Sequence, residues 1–192
     1  MAAALMAFAD ALESEPQVIA RCLRRRDAVF IDRLVEQYHY RLLRYLVYLT
    51  ARREQAEDLV QDTWMRVLER AAQYDGRSRF EPWLFSIARN LAIDEMRRRQ
   101  RMEPDEPAER VAPETYSPFV AAAKSEDAAR IAAALAALEA FYREALVLRF
   151  QEELSLDEIA QVTHSPVSTV ASRIHRGLAQ LRAHLEGSKD AK

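Results

Sequence analysis

The stretch SLDEIAQVTHSPVSTVASRIHRGLAQLRAHL, Ser155 to Leu185, decides the fold. Ser155 and Glu158 are spaced as a capping box, in which each side chain satisfies the other residue's backbone N–H, and they open a short helix from Leu156 to Val162. Thr163, His164 and Ser165 make the turn, and Ser165 followed by Pro166 opens a second helix. Along that helix Val170, Ile174, Leu178, Leu181 and Leu185 recur at steps of four, four, three and four, which at a helical period stacks them into one buried stripe. Ser168, Thr169, Ser172 and Arg176 fall opposite, with His175 at the flank. Such a face suits a duplex. A guanidinium forks onto guanine, hydroxyls bond base edges or phosphates, and the helix N-terminus favours a phosphate. For any single amphipathic helix the plainer reading is a solvated surface, so the rest of the chain has to choose.

Composition makes the fold class all-α. Of 192 residues 49% are apolar, enough for real cores, only three are glycine, and no run alternates in the strand manner for long. The single cysteine, Cys22, excludes an internal disulfide framework and a Cys-rich zinc site. No apolar run approaches the roughly 20 residues that cross a bilayer, and Met1 to Asp10 lacks a basic signal region. No membrane insertion is expected, and the cytoplasm is the expected location. His39, His164, His175 and His184 have no paired carboxylates or cysteines at ligand spacing, and no glycine-rich phosphate loop exists. These features predict no enzyme, no metal, no cofactor and no small-molecule substrate. The net charge of -2 hides a segregation: residues 21 to 101 carry a surplus of six positive charges and residues 102 to 128 a surplus of five negative ones.

The acidic segment contains Pro104, Pro107, Pro113 and Pro118, a density that prevents a long helix while the charge opposes packing. It predicts an extended linker, residues 102–128, between helical blocks at 27–101 and 129–186, with 1–26 as an N-terminal extension. In the first block Phe30, Leu34, Tyr38, Leu42, Tyr45, Leu46 and Leu49 trace one long helix. Val60, Trp64, Val67, Leu68 and Ala71 line a second, from about Glu54 to Tyr74, ended by the turn pair Asp75-Gly76. Leu84, Ile87, Ala88 and Leu91 line a third that Pro82 starts. The run Arg24-Arg-Arg26 either continues the first of these helices or touches DNA, and the former is expected. In the second block, helices near Ala129 to Leu138 and Glu139 to Phe150 would carry the helix-turn-helix.

Two further faces look functional. On the third helix Trp83, Ser86, Asn90 and Arg97 lie away from the core stripe, with Arg89 at its edge, and the basic loop Arg77, Ser78, Arg79, Phe80 precedes them. An indole beside an amide and guanidinium groups is a surface on which an unstacked base can lie and be hydrogen-bonded; a half-buried lid over the core is the plainer role for such a Trp. On the second helix Asp58, Asp62 and Arg66 point outward with Gln61 and Met65 beside them, a mixed face that suits a protein partner. A pairing of Asp62 with Arg66 within the helix would be worth only about 0.2–0.5 kcal/mol.

Together these residues resemble the extracytoplasmic-function (ECF) sigma factors, the short sigma-70 relatives built of regions 2 and 4 alone. Asp58 to Arg66 is similar to the region 2 helix that docks on core RNA polymerase. Gly76 to Asp94 resembles the stretch that opens and reads the minus-10 element. Tyr142 to Phe150, Leu154 to Ala160 and Pro166 to Arg176 resemble region 4, which reads the minus-35 element. The resemblance implies a three- to four-helix region 2 bundle, a region 4 helix-turn-helix, and a linker running through the polymerase interior. It also implies core RNA polymerase, promoter DNA and an anti-sigma factor as partners. Asp58, Gln61, Asp62, Met65 and Arg66 would bind polymerase. Arg77, Ser78, Arg79, Phe80, Trp83, Ser86, Arg89, Asn90 and Arg97 would bind the minus-10 strand, and Ser168, Thr169, Ser172, Arg173, His175 and Arg176 the minus-35 duplex. The chain departs from the family at His164, where a glycine is usual and a left-handed backbone is expected, and at Ser168 and Ala171 in the recognition helix. Two rival functions are a sigma-like decoy that sequesters an anti-sigma factor and a helix-turn-helix repressor.

Overall fold

A computed structural model describes residues 15–102 and 126–187. Among the described residues it contains α-helices, one 3-10 turn and no strand. Helix α1 spans Pro16–Arg25, with proline at a first-turn position and Arg24 and Arg25 in the last turn. It stops at Arg26, whose backbone is left-handed (φ 54°) and whose N–H caps the carbonyls of Cys22 and Leu23. The Asp27 carboxylate then accepts the Phe30 N–H at 3.2 Å and opens α2, Ala28–Thr50. The arginine run therefore does not continue the long helix, as its sequence suggested. It closes a separate one.

Helix α3 spans Arg53–Glu69 and is followed by a 3-10 turn, Ala71–Gln73, so it ends five residues before the expected Tyr74. The tighter turn brings both Ala71 and Tyr74 into the core. Helix α4, Phe80–Met102, begins two residues before Pro82, which sits in the first turn where its missing N–H has no intrahelical partner to lose. The second block consists of α5 (Glu126–Ala137), α6 (Ala140–Phe150), α7 (Leu156–Thr163) and α8 (Val167–Gly187). Helix α5 takes in three residues assigned to the linker from sequence; the rest of the predicted acidic linker, 103–125, lies outside the described residues.

The two blocks share one core. Leu34, Tyr38, Leu42, Tyr45 and Leu46 of α2, Leu59, Val60, Trp64 and Val67 of α3, and Leu84, Phe85 and Ala88 of α4 are buried in a cluster that also takes in Val147, Leu148, Leu154, Ile159, Val162 and Val170. Sequence patterning gave two helical blocks joined by a linker, and the structure packs those blocks against each other, α7 on α4 and α6 on α2. A smaller cluster of Leu135, Leu138, Tyr142 and Leu146 meets Ile174 and Leu181 of α8. Leu178, expected in that stripe, is 39% exposed. Gly177 takes the inward position instead, and a Cβ there would meet Leu146 Cγ and Cδ1 at 3.3 Å, so α8 crosses α6 closely enough that a larger residue would have to push the Leu146 side chain aside.

Polar groups cross the seam between the blocks. The fully buried carboxylate of Glu152 receives Arg41 Nε at 2.8 Å and Arg44 Nη2 at 2.5 Å. Glu144 accepts the Tyr45 hydroxyl at 2.9 Å and Arg89 Nε at 2.7 Å. Burying these carboxylates is tolerable only because each meets a guanidinium and a matching donor geometry.

Candidate nucleic-acid interface

The loop before α4 is pinned at several points. Tyr74 donates its hydroxyl to the Ser78 carbonyl at 2.7 Å, and the Asp75 carboxylate accepts the Arg77 N–H at 2.9 Å as an Asx turn. Gly76 is left-handed (φ 74°), and a Cβ there would lie 2.8 Å from the Pro16 carbonyl oxygen, so only glycine lets this loop rest on the start of α1. Arg77, next to it, projects with 90% of its side chain exposed, and Ser78 is exposed as well.

Behind the loop stands an aromatic nest. Phe80 meets Tyr38 edge-on at 5.4 Å and Tyr74 edge-on at 5.3 Å, and is 1% exposed. Trp83 lies half-buried against Tyr74 at 5.2 Å and Phe80 at 5.8 Å. Phe80, assigned to the strand-reading set from sequence, is therefore a core residue. The alternation of an aromatic loop end with a helix start gave no sign that the ring turns inward. Tyr74, not singled out from sequence, both ties the loop and supports the indole.

The remaining minus-10 candidates divide. Asn90 and Arg97 are exposed on α4, and Arg97 lines an open groove with Asp94, Gln100 and Arg101. Ser86 donates its hydroxyl to the Pro82 carbonyl at 2.7 Å within its own helix. Arg79 faces Glu81 at 3.4 Å and Glu158 of the second block at 3.6 Å. Arg89 is held by Glu144. Burial alone would raise the Glu81 carboxyl, but its own backbone N–H, Arg79, the Tyr38 hydroxyl and Arg41 outweigh it and hold the group below the usual carboxylate range. The same burial and the facing Glu81 carboxylate push the Tyr38 phenol well up.

On α3, Asp58, Gln61, Asp62 and Met65 are exposed, with Met65 at 61%. Arg66 pairs with Glu69 at 3.2 Å, one turn on, rather than with Asp62. In the helix-turn-helix the capping box is formed, with Ser155 Oγ accepting the Glu158 N–H at 3.2 Å and Glu158 accepting the Ser155 N–H at 2.7 Å. His164 is left-handed (φ 50°), as its place in the turn requires. Ser168, Ser172, His175 and Arg176 are exposed on one side of α8, while Val170 and Gly177 are buried on the other. Thr169 is half-buried. Arg173 is half-buried too, donating to Ser165 Oγ at 3.1 Å and lying over the Phe141 ring at 5.6 Å, so it braces the turn from which the face projects.

Neither Glu144 nor Glu152 was assigned a role from sequence. A lone carboxylate within the apolar run of α6 was the available signal, since a buried charge demands a partner.

Residues 34–102 match the family described as Sigma-70 region 2, and residues 128–181 match Sigma-70, region 4. SigX of Bacillus subtilis, an ECF RNA polymerase sigma factor, is 34% identical over 159 residues that cover 80% of this chain and 82% of that protein. This chain belongs to the ECF sigma factors of the sigma-70 family. The ECF sigma factor SigE of Mycolicibacterium smegmatis is 38% identical over 157 residues, covering 80% of this chain and 61% of that longer protein. The sigma factor RpoE of Bartonella quintana, solved in complex with the anti-sigma factor NepR, superposes with a TM-score of 0.65 at 26% identity, over 81% of this chain and 96% of that one. In this ECF sigma factor the region 2 match begins within α2, and α1 lies outside both matches. None of the described helices is long and apolar enough to cross a membrane.

Proposed function

We propose that this ECF sigma factor directs core RNA polymerase to promoters by a division of labour among three faces. Asp58, Gln61, Asp62, Met65 and Arg66 of α3 dock on polymerase: the exposed Met65 supplies apolar area and the flanking charges orientation. Trp83, cradled by Tyr74 and Phe80, receives an unstacked base of the non-template strand, with Ser86 and Asn90 along α4 to bond its edge, and Arg77, Ser78, Arg79, Arg89 and Arg97 follow the phosphates. Ser168, Thr169, Ser172, His175 and Arg176 enter the major groove of the minus-35 duplex while Arg173 holds the recognition helix to its turn. Region 2 function belongs to residues 27–101 and region 4 function to 129–186, joined by the acidic segment. An anti-sigma factor holds the chain between uses, a reading supported by the complex in which the B. quintana relative was solved. The work is done in the cytoplasm, where polymerase meets the promoter, and without catalysis by the chain itself.

The observation that carries this reading is the outward face of α8, Ser168, Ser172, His175 and Arg176, on a helix whose opposite side Val170 and Gly177 close against the fold. In vitro transcription with core polymerase on genomic DNA of the host, with start sites mapped, is the test. Specific starts with shared upstream elements are the expected result. A decoy would bind an anti-sigma protein and initiate nowhere, and a repressor would hold an operator tightly with no polymerase present; either outcome overturns the proposal.

A further inference from the structure

Helix α1 lies outside both family matches, yet it forms the floor on which the reading loop rests, because Gly76 sits against the Pro16 carbonyl and Gln17 Cα. Ile19, Ala20 and Leu23 bury one side of it. The other side carries Gln17, Arg21 and Arg25 at successive steps of four, all exposed, with Arg24 and Arg26 alongside. Among the described residues no carboxylate pairs with Arg21, Arg25 or Arg26, whereas the arginines of the seam, Arg41, Arg44 and Arg89, are all neutralised. Arg26 occupies the left-handed C-cap, a conformation that glycine adopts without steric cost. An arginine there keeps a charge at the expense of local backbone comfort, and its side chain finds no partner within the described fold.

We infer that the Gln17–Arg21–Arg25 stripe, with Arg26, is a DNA-backbone track that continues from Arg77 and grips phosphates flanking the minus-10 bases. The stripe runs about 12 Å along α1 at ~1.5 Å per residue, the length of about three to four stacked nucleotides at ~3.4 Å each. It begins at the loop that presents Arg77, so strand leaving the Trp83 pocket reaches it without crossing the apolar core. Arginines without base-edge partners bind phosphates and so add affinity without adding sequence preference. The inference rests on the promoter-reading function proposed above.

The test uses the full chain bound to core polymerase and a fork-junction DNA cut from a promoter mapped by the transcription experiment. Arg21→Gln/Arg25→Gln is compared with wild type and with Arg21→Lys/Arg25→Lys across a salt series. The glutamine pair should reduce the slope of log affinity against log salt by about 0.7 for each phosphate no longer neutralised, and weaken binding roughly tenfold at physiological salt. The lysine pair should keep both near wild type. Base preference within the minus-10 element, polymerase affinity and melting temperature should stay unchanged. Equal slopes in wild type and the glutamine pair would overturn the track. So would a drop in polymerase affinity, which would make the stripe a protein-docking surface, or a lower melting temperature with unchanged slope, which would leave the arginines serving only the helix dipole. Wild-type holoenzyme failing to bind the fork would instead overturn the promoter-reading function itself.

Discussion

Phe80 and Trp83 stand three residues apart at the start of α4, and the fold uses them differently: one ring is sealed among Tyr38 and Tyr74, the other rests on Tyr74 and Phe80 with part of its surface in solvent. Phe80→Ala should therefore cost about 3–5 kcal/mol of folding free energy, seen as a lower urea midpoint. Trp83→Ala should leave polymerase affinity unchanged and lower open-complex formation by about 5- to 100-fold, the range of one lost base stack. Equal loss of both functions in the Trp83 variant would place the indole in the core. Glu81 carries a prediction in pH. Its folded carboxyl titrates below the ordinary value of 4.5, so on acidification the unfolded chain takes up the proton first. Its contribution is complete above about pH 5.5 and is lost as pH falls through the folded value. Glu81→Gln should flatten the dependence of melting temperature on pH between about 5 and 3; an unchanged curve would show that other carboxylates govern acid unfolding.

At the scale of the element, helix ends explain where the sequence reading held and where it slipped. Capping is chemistry within four residues, so the Ser155–Glu158 box and the left-handed His164 were legible in advance and are present. The end of α3 and the start of α4 were not, because they depend on Ala71, Tyr74 and Phe80 turning toward a core that other helices build. Outside the arginine stripe, Ala51, Glu153 and His164 have φ between 50 and 56° without being glycine. Each replacement by glycine should raise stability by about 0.5–1 kcal/mol, since the steric cost of a Cβ in that region exceeds the added entropy of the unfolded chain. Chemical denaturation of the three single variants checks this, and a destabilised His164→Gly would mean that the imidazole itself contributes to the turn.

For the whole molecule, the consequential fact is that the two blocks share a core and an ionic seam, and that the seam holds Arg79 and Arg89, two residues of the proposed minus-10 set. A compact chain of this length has a radius of gyration of about 16 Å, whereas promoter elements about 25 base pairs apart lie roughly 85 Å apart at ~3.4 Å per pair. If the two proposed faces read both elements at once, the blocks must separate from the closed arrangement. On the proposed division of labour, separating the blocks would free Arg79 from Glu158 and Arg89 from Glu144. Glu152→Gln, which takes the carboxylate from Arg44 and leaves Arg41 with Glu81 at 3.6 Å, should weaken the seam by about 2–3 kcal/mol. Small-angle scattering should then show an increased radius of gyration that falls back when added sulfate strengthens apolar burial; an unchanged radius would mean that the apolar packing alone holds the blocks together. The sequence by itself determined the all-α class, the order of the two blocks and the helix-turn-helix, because periodicity, capping and composition are local and survive without neighbours; its motifs carried the resemblance that pointed to the family. Only the tertiary structure decided that Phe80 turns inward, that α1 floors the reading loop, and that Glu144 and Glu152 bind the blocks together. Those outcomes depend on which buried surfaces and charges meet across about 50 to 110 positions of chain, and no window of neighbouring residues contains them.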